Sequence, residues 1–141
     1  MKTILQIIVY LCFTIPALFG LYCCGTESEP VNLLRFNNGE LYYTENVEEQ
    51  EALKLGDFLA KENFYFNGDP KSVQLDKDGK GYILRLVVIE GAHQNPANIG
   101  PFTSLGIIVS KEVFDRAPVH INLCDKDFNT LMEIPYKSSA L

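Results

Sequence analysis

From Thr3 to Gly25 the chain carries no charged side chain, and its clearly polar interruptions after Thr3 are Gln6 and Thr14. About 20 apolar residues in a helix cross a hydrocarbon core of ~30 Å, so the run is long enough to span a bilayer. The apolar core of a secretory signal is shorter, ~7–15 residues. A buried helix of a soluble core is the alternative, but it needs every face covered, which a chain of 141 residues can hardly provide. The sequence therefore divides into a signal or anchor (residues 1–25), a tether (26–38) and a folded domain (39–141). Lys2 stands before the apolar run, whereas Glu27 and Glu29 follow it. That order places the N-terminus inside and the body outside the membrane, in the periplasm or the extracellular space.

Three fates of this segment stay open. Its length fits an uncleaved anchor, with Pro16 as a kink. Leu21-Tyr22-Cys23-Cys24 resembles a bacterial lipoprotein signal, which implies a lipid on Cys24. Tyr22 and Cys23 are bulkier than that pattern prefers. Cleavage after Gly25 as an ordinary export signal is the third. In each case the membrane or a secretion channel receives residues 3–24.

Charge narrows the partners. The formal net charge is −6, all 18 acids lie after Gly25, and Lys2 is the one base before it. The body is thus more acidic than the whole chain and repels nucleic acid phosphates. Cys12, Cys23 and Cys24 belong to the N-terminal run, leaving Cys124 alone in the body. No disulfide framework or Cys-x-x-Cys zinc pair is available, so the apolar core must hold the domain. No cofactor or metal motif is present.

The body reads as strands around one strong helix. The patch Val31, Leu33, Leu34 and Phe36 suits an edge strand, and Glu40–Thr44 a first full strand. Asn46 with Glu49 fits a capping box. Ala52, Leu55 and Leu59 then repeat at helical spacing to about Asn63. Gly56 lies on the same face, where close contact with a sheet is its expected role. Ser72–Asp76 and Gly81–Ile89 form a hairpin. Residues 90–101 form a polar loop. Over Phe102–Phe114, Ile107-Ile108-Val109 suits a strand, but Phe102, Leu105, Val109 and Val113 share a helical face, the better fit. Val119–Asp125 and Asn129–Ile134 form a second hairpin. The order predicts an α+β two-layer sandwich of ferredoxin-like β-α-β-β-α-β type, with an extra C-terminal strand after the N-terminal hydrophobic helix.

Candidate chemical residues are few. Strand alternation sets His120, Asn122 and Cys124 on one face. They are the residue types of a thiol protease, but His120 and Cys124 stand roughly 13 Å apart along a strand. A nucleophile and its base need ~3 Å. Asp76-Lys77-Asp78-Gly79-Lys80-Gly81 has calcium-loop flavour, yet Lys80 and Val87 occupy ligand positions. It reads as a hairpin turn. Tyr42, Tyr43, Phe64, Tyr65 and Phe66 cluster near the first helix, and one of Tyr42 and Tyr43 must point away from the core. Tyr43, Tyr65, His93 and His120 are the candidate binding residues, and no catalytic residue is assigned.

The β-α-β-β-α-β order over residues 40–125 resembles the layout of the sporulation-related repeat domain, a peptidoglycan-binding family. The likeness lies in topology alone and transfers no residue. These readings together imply a membrane-tethered or exported non-enzymatic module that binds a protein or envelope partner. The alternative is a small hydrolase-like enzyme using His93 and His120.

Overall fold

The computed structural model describes residues 32–64 and 71–138. In chain order the elements are β1 (Asn32–Phe36), β2 (Gly39–Tyr43), α1 (Glu49–Lys61), β3 (Lys71–Asp78), β4 (Gly81–Val87), α2 (Ile99–Glu112), β5 (Val119–Cys124) and β6 (Thr130–Ile134). The strands form a six-stranded sheet whose spatial order follows the chain, β1-β2-β3-β4-β5-β6. Tight antiparallel pairs alternate with parallel pairs bridged by the helices: β2 is parallel to β3 across α1, and β4 to β5 across α2.

The α+β class holds, and the strand order differs from the ferredoxin-like one. That layout splits each β-α-β unit with a third strand. Here β2 and β3 are hydrogen-bonded neighbours, as are β4 and β5. The reason lies in the outer pairs. β1 occupies one edge of β2 and β6 one edge of β5. A strand has two edges, which leaves one each on β2 and β5, and here the parallel partner takes it. The expected tether accordingly ends earlier, since residues 32–36 are already sheet. The signal, anchor or hydrophobic helix expected at residues 1–25 lies outside the described residues. Among the described residues no helix is long and apolar enough to cross a membrane.

Both helices cover one face. Gly56 of α1 sits against the ring of Phe36, and Gly106 of α2 against Ile121 Cγ1 at 3.2 Å from where a Cβ would stand. Phe36 lies on the side of Leu34 and Leu41, and Ile121 is in register with Leu84 and Leu75. That shared face holds Leu41, Val73, Leu75, Leu84, Leu86, Ile121 and Leu123, packed with Ala52, Leu55, Leu59 and Val109 from the helices. β2 and β4 run in opposite directions while the sheet advances the same way. Two crossovers on one face must then wind with opposite hands, so one of them is left-handed, against a preference of about 98% for the right hand.

Local chemistry sets the boundaries. α1 starts after Glu48, not Asn46. The Asn46 amide and the Thr44 hydroxyl instead donate to Asp76 Oδ1, at 3.4 and 2.7 Å. Glu51 closes the first turn by accepting from the Glu48 N–H at 3.0 Å. Asp78 Oδ1 accepts from the Lys80 and Gly81 amides at 2.7 and 3.1 Å, which closes the β3–β4 turn. β3 thus runs two residues further than expected, to Asp78. The 102–114 segment is helical, as its periodicity predicts, and starts at Ile99.

Candidate functional site

The opposite face of the sheet bears no helix among the described residues. Strand register sets Tyr42, Gln74, Arg85, Asn122 and Glu133 in one row across it. Gln74 and Asn122 are 7% and 9% exposed, unusual burial for polar side chains. Arg85 Nη1 donates to Gln74 Oε1 at 3.1 Å, and Nη2 stands 3.9 Å from Asp76 Oδ2. The Arg85 Nε is buried without a hydrogen-bond partner among the described residues. Burial pushes the Asp76 carboxyl up, but hydrogen bonds from Thr44, the Lys77 amide and Asn46, with the charge of Arg85, hold it below its usual range.

An aromatic pair arches over this row. The Tyr42 and Phe128 rings meet edge to face, with centroids 5.5 Å apart. β2 and β5 are three strand spacings apart, about 14 Å on a flat sheet. The β5–β6 turn must therefore reach back over the open face. Asp125 holds that turn: its Oδ1 accepts from the Asp127 and Asn129 amides, both at 2.9 Å, and its Oδ2 from Asn129 Nδ2 at 3.0 Å. Hydrogen bonds from Asn129 above all hold the Asp125 carboxyl below its ordinary value. Phe128 adopts φ 61°, a left-handed conformation that aims its ring away from the strand path. Tyr42 also donates to Glu40 Oε2 at 2.7 Å, which raises its phenol pKa.

Two depressions flank the row. One, of about 410 Å³, is lined by Asp78, Lys80, Ile83, His120, Asn122 and Glu133. The other, of about 590 Å³, is lined by Val88, Glu90, His93, Gln94, Asp125 and Leu131. Ile83 pairs with His120, whereas Val87 pairs with Cys124, so the two hollows lie at opposite ends of β4 and β5.

The candidate residues separate accordingly. His120 is half-buried, with Nδ1 accepting from the Tyr136 amide at 3.4 Å. His93 lines the other hollow, its Nδ1 buried without a partner among the described residues. The structure does not bring the two imidazoles into one cleft. Tyr43 is 8% exposed and packs in the helix-covered core. Of the tyrosine pair it is Tyr42 that faces outward, a correction that alternation alone left open. Tyr65 and Cys24 lie outside the described residues. Cys124 is free and fully buried; burial pushes its thiol pKa up, and its Sγ donates to the Asn122 carbonyl at 3.5 Å. The Asp78 turn is the hairpin turn expected. Sequence reading missed Arg85, Gln74 and Phe128. Alternation in β4 did carry a signal for Arg85, since it stands between Leu84 and Leu86. Nothing local marks Phe128.

Residues 33–135, more than half of the chain, match a family model described as AF_1994_N, a family N-terminal domain. No curated protein and no solved structure matches the chain.

Proposed function

We propose that this chain, a member of the AF_1994_N family over residues 33–135, is a membrane-tethered or exported non-enzymatic module that binds a protein or envelope partner on its uncovered sheet face. One observation carries this reading. Arg85, Gln74 and Asn122 are drawn into a sheet face that no helix covers among the described residues, beside the Tyr42–Phe128 pair. The Arg85 and Gln74 side chains are already oriented by their mutual hydrogen bond and lose little freedom on binding, and the half-exposed Tyr42–Phe128 pair supplies apolar contact. The acidic surface disfavours nucleic acid as the partner. Residues 3–24 supply the membrane attachment, with Cys24 as the lipid acceptor if the segment is processed as a lipoprotein.

Hydroxyl-radical footprinting tests the binding face. The full chain is labelled in the membranes of the cells that make it and again after detergent purification. Tyr42 and Phe128 are expected to be protected in the membranes, while Leu53 and Ile108, exposed on the helix side, label equally in both. Equal labelling of Tyr42 and Phe128 in both preparations overturns the reading. Intact mass of the membrane fraction distinguishes acylation at Cys24, loss of residues 1–25 and an unprocessed anchor. Recovery of the unprocessed chain from the soluble fraction overturns the attachment.

A further inference from the structure

The hollow beside β6 has a chemistry of its own. It combines two carboxylates, one ammonium, one imidazole and one amide, from Asp78, Glu133, Lys80, His120 and Asn122. The β3–β4 turn occupies Asp78 Oδ1 through the Lys80 and Gly81 amides. Its Oδ2 is unengaged among the described residues. Glu133 stands exposed on β6 and forms no ion pair among them. Asn122 is only 9% exposed, and no side-chain hydrogen bond satisfies its amide among the described residues. The amide lines the hollow, where its hydrogen-bonding capacity is open to an incoming group. Among the described residues β6 also ends the sheet, with Thr130, Leu131 and Glu133 exposed along it. An open edge is a template for a further strand, and alternate side chains of such a strand project onto the face that carries Glu133 and Asn122.

The geometry points to a pocket for one lysine or arginine side chain of a partner protein, presented by an extended segment lying along β6. The Glu133 carboxylate meets the cationic head and the Asn122 carbonyl accepts from it, while Asp78, three strands away, adds negative charge to the hollow. Ile83 lies against the side chain's methylene stem. A guanidinium suits the site best, because its planar donors reach a carboxylate and an amide oxygen together. The net charge of −6 draws a basic segment in at long range. Lys80 opposes the incoming cation, and this fixes the sign of its mutation. The proposal rests on the open face being the binding surface and names the chemistry of its partner.

The test uses the full chain in detergent micelles and three acetylated, amidated pentapeptides of alternating threonine and valine. Their central residue is arginine, norleucine or glutamate. The arginine peptide is expected to bind about tenfold tighter than the norleucine one. Glu133→Gln should remove that preference, and Lys80→Ala should strengthen it. Both residues are exposed, so neither variant threatens folding. The Asn122 side-chain amide resonance should move on titration with the arginine peptide. Equal affinities for the three peptides, preference for glutamate, or an arginine preference that survives Glu133→Gln overturns the proposal. Equal peptide affinities alongside footprint protection of Tyr42 would sink the basic-side-chain pocket and leave the binding face standing.

Discussion

Glu51 ties the first turn of α1 to the sheet. Its carboxylate accepts from the Glu48 amide, from Lys77 Nζ at 2.8 Å and from the Tyr82 hydroxyl. Tyr82 in turn stacks on Phe114 with ring centroids 3.8 Å apart, and Lys77 Nζ lies over its ring. Burial pushes the Glu51 carboxyl up, but the hydrogen bonds from Lys77, Tyr82 and Glu48 outweigh it and hold the pKa below the ordinary 4.5. A carboxylate depressed on folding stabilises the fold above its unfolded pKa, and that contribution disappears as pH falls through the folded value. Glu51→Gln is therefore expected to destabilise the protein by about 1–2 kcal/mol at neutral pH. It should also flatten the decline of stability below the ordinary carboxylate range. Urea unfolding at a series of pH values measures both, and an acid decline as steep as that of the wild type would contradict the assignment. Asp76 is depressed as well and leaves some acid sensitivity in the variant.

At the scale of elements, the β5–β6 turn does more than join two strands. Asp125 closes it through three hydrogen bonds and thereby sets Phe128 against Tyr42. Asp125→Ala should release Phe128 while the Ile121–Ile134 register persists, since that register is held by the strands. The measurement is the Tyr42 ring NMR shift, which loses the ring-current contribution of Phe128 in the variant. An unchanged shift would mean that the turn keeps its form without Asp125. α1 illustrates how far local pattern reaches. Its apolar period and the place of Gly56 against a sheet follow from spacing, and the Phe36 ring does fill the space a Cβ would need. Its start does not follow, because Asn46 serves Asp76 on β3, a partner distant in sequence.

In the whole molecule, β3 and β4 lie at the centre, paired on both sides and covered by the main core. Their amides are expected to exchange slowest, and those of β1 and β6 fastest, because local opening starts where pairing and packing are least. Native-state hydrogen exchange reads this order directly. Leu84→Ala, at a site with 0% exposure, should speed exchange across the central strands with a cost of about 2–5 kcal/mol. Ile83→Ala, one residue along on the other face, should cost less than about 1 kcal/mol. Similar costs at both positions would mean that the second face is covered as closely as the first.

Period and propensity alone determined much of this protein. The hydrophobic alternation of β4 and β5, the helical spacing of α1 and α2, and both hairpins express local preferences that each segment carries by itself. The acidic charge and the lack of a disulfide framework in the body likewise need no coordinates. Strand order was decided in three dimensions, because it depends on which edges the outer strands β1 and β6 have already filled. The polar row was decided there too. Tyr42, Gln74, Arg85 and Asn122 come from four strands, and only lateral hydrogen bonding between distant segments sets them side by side.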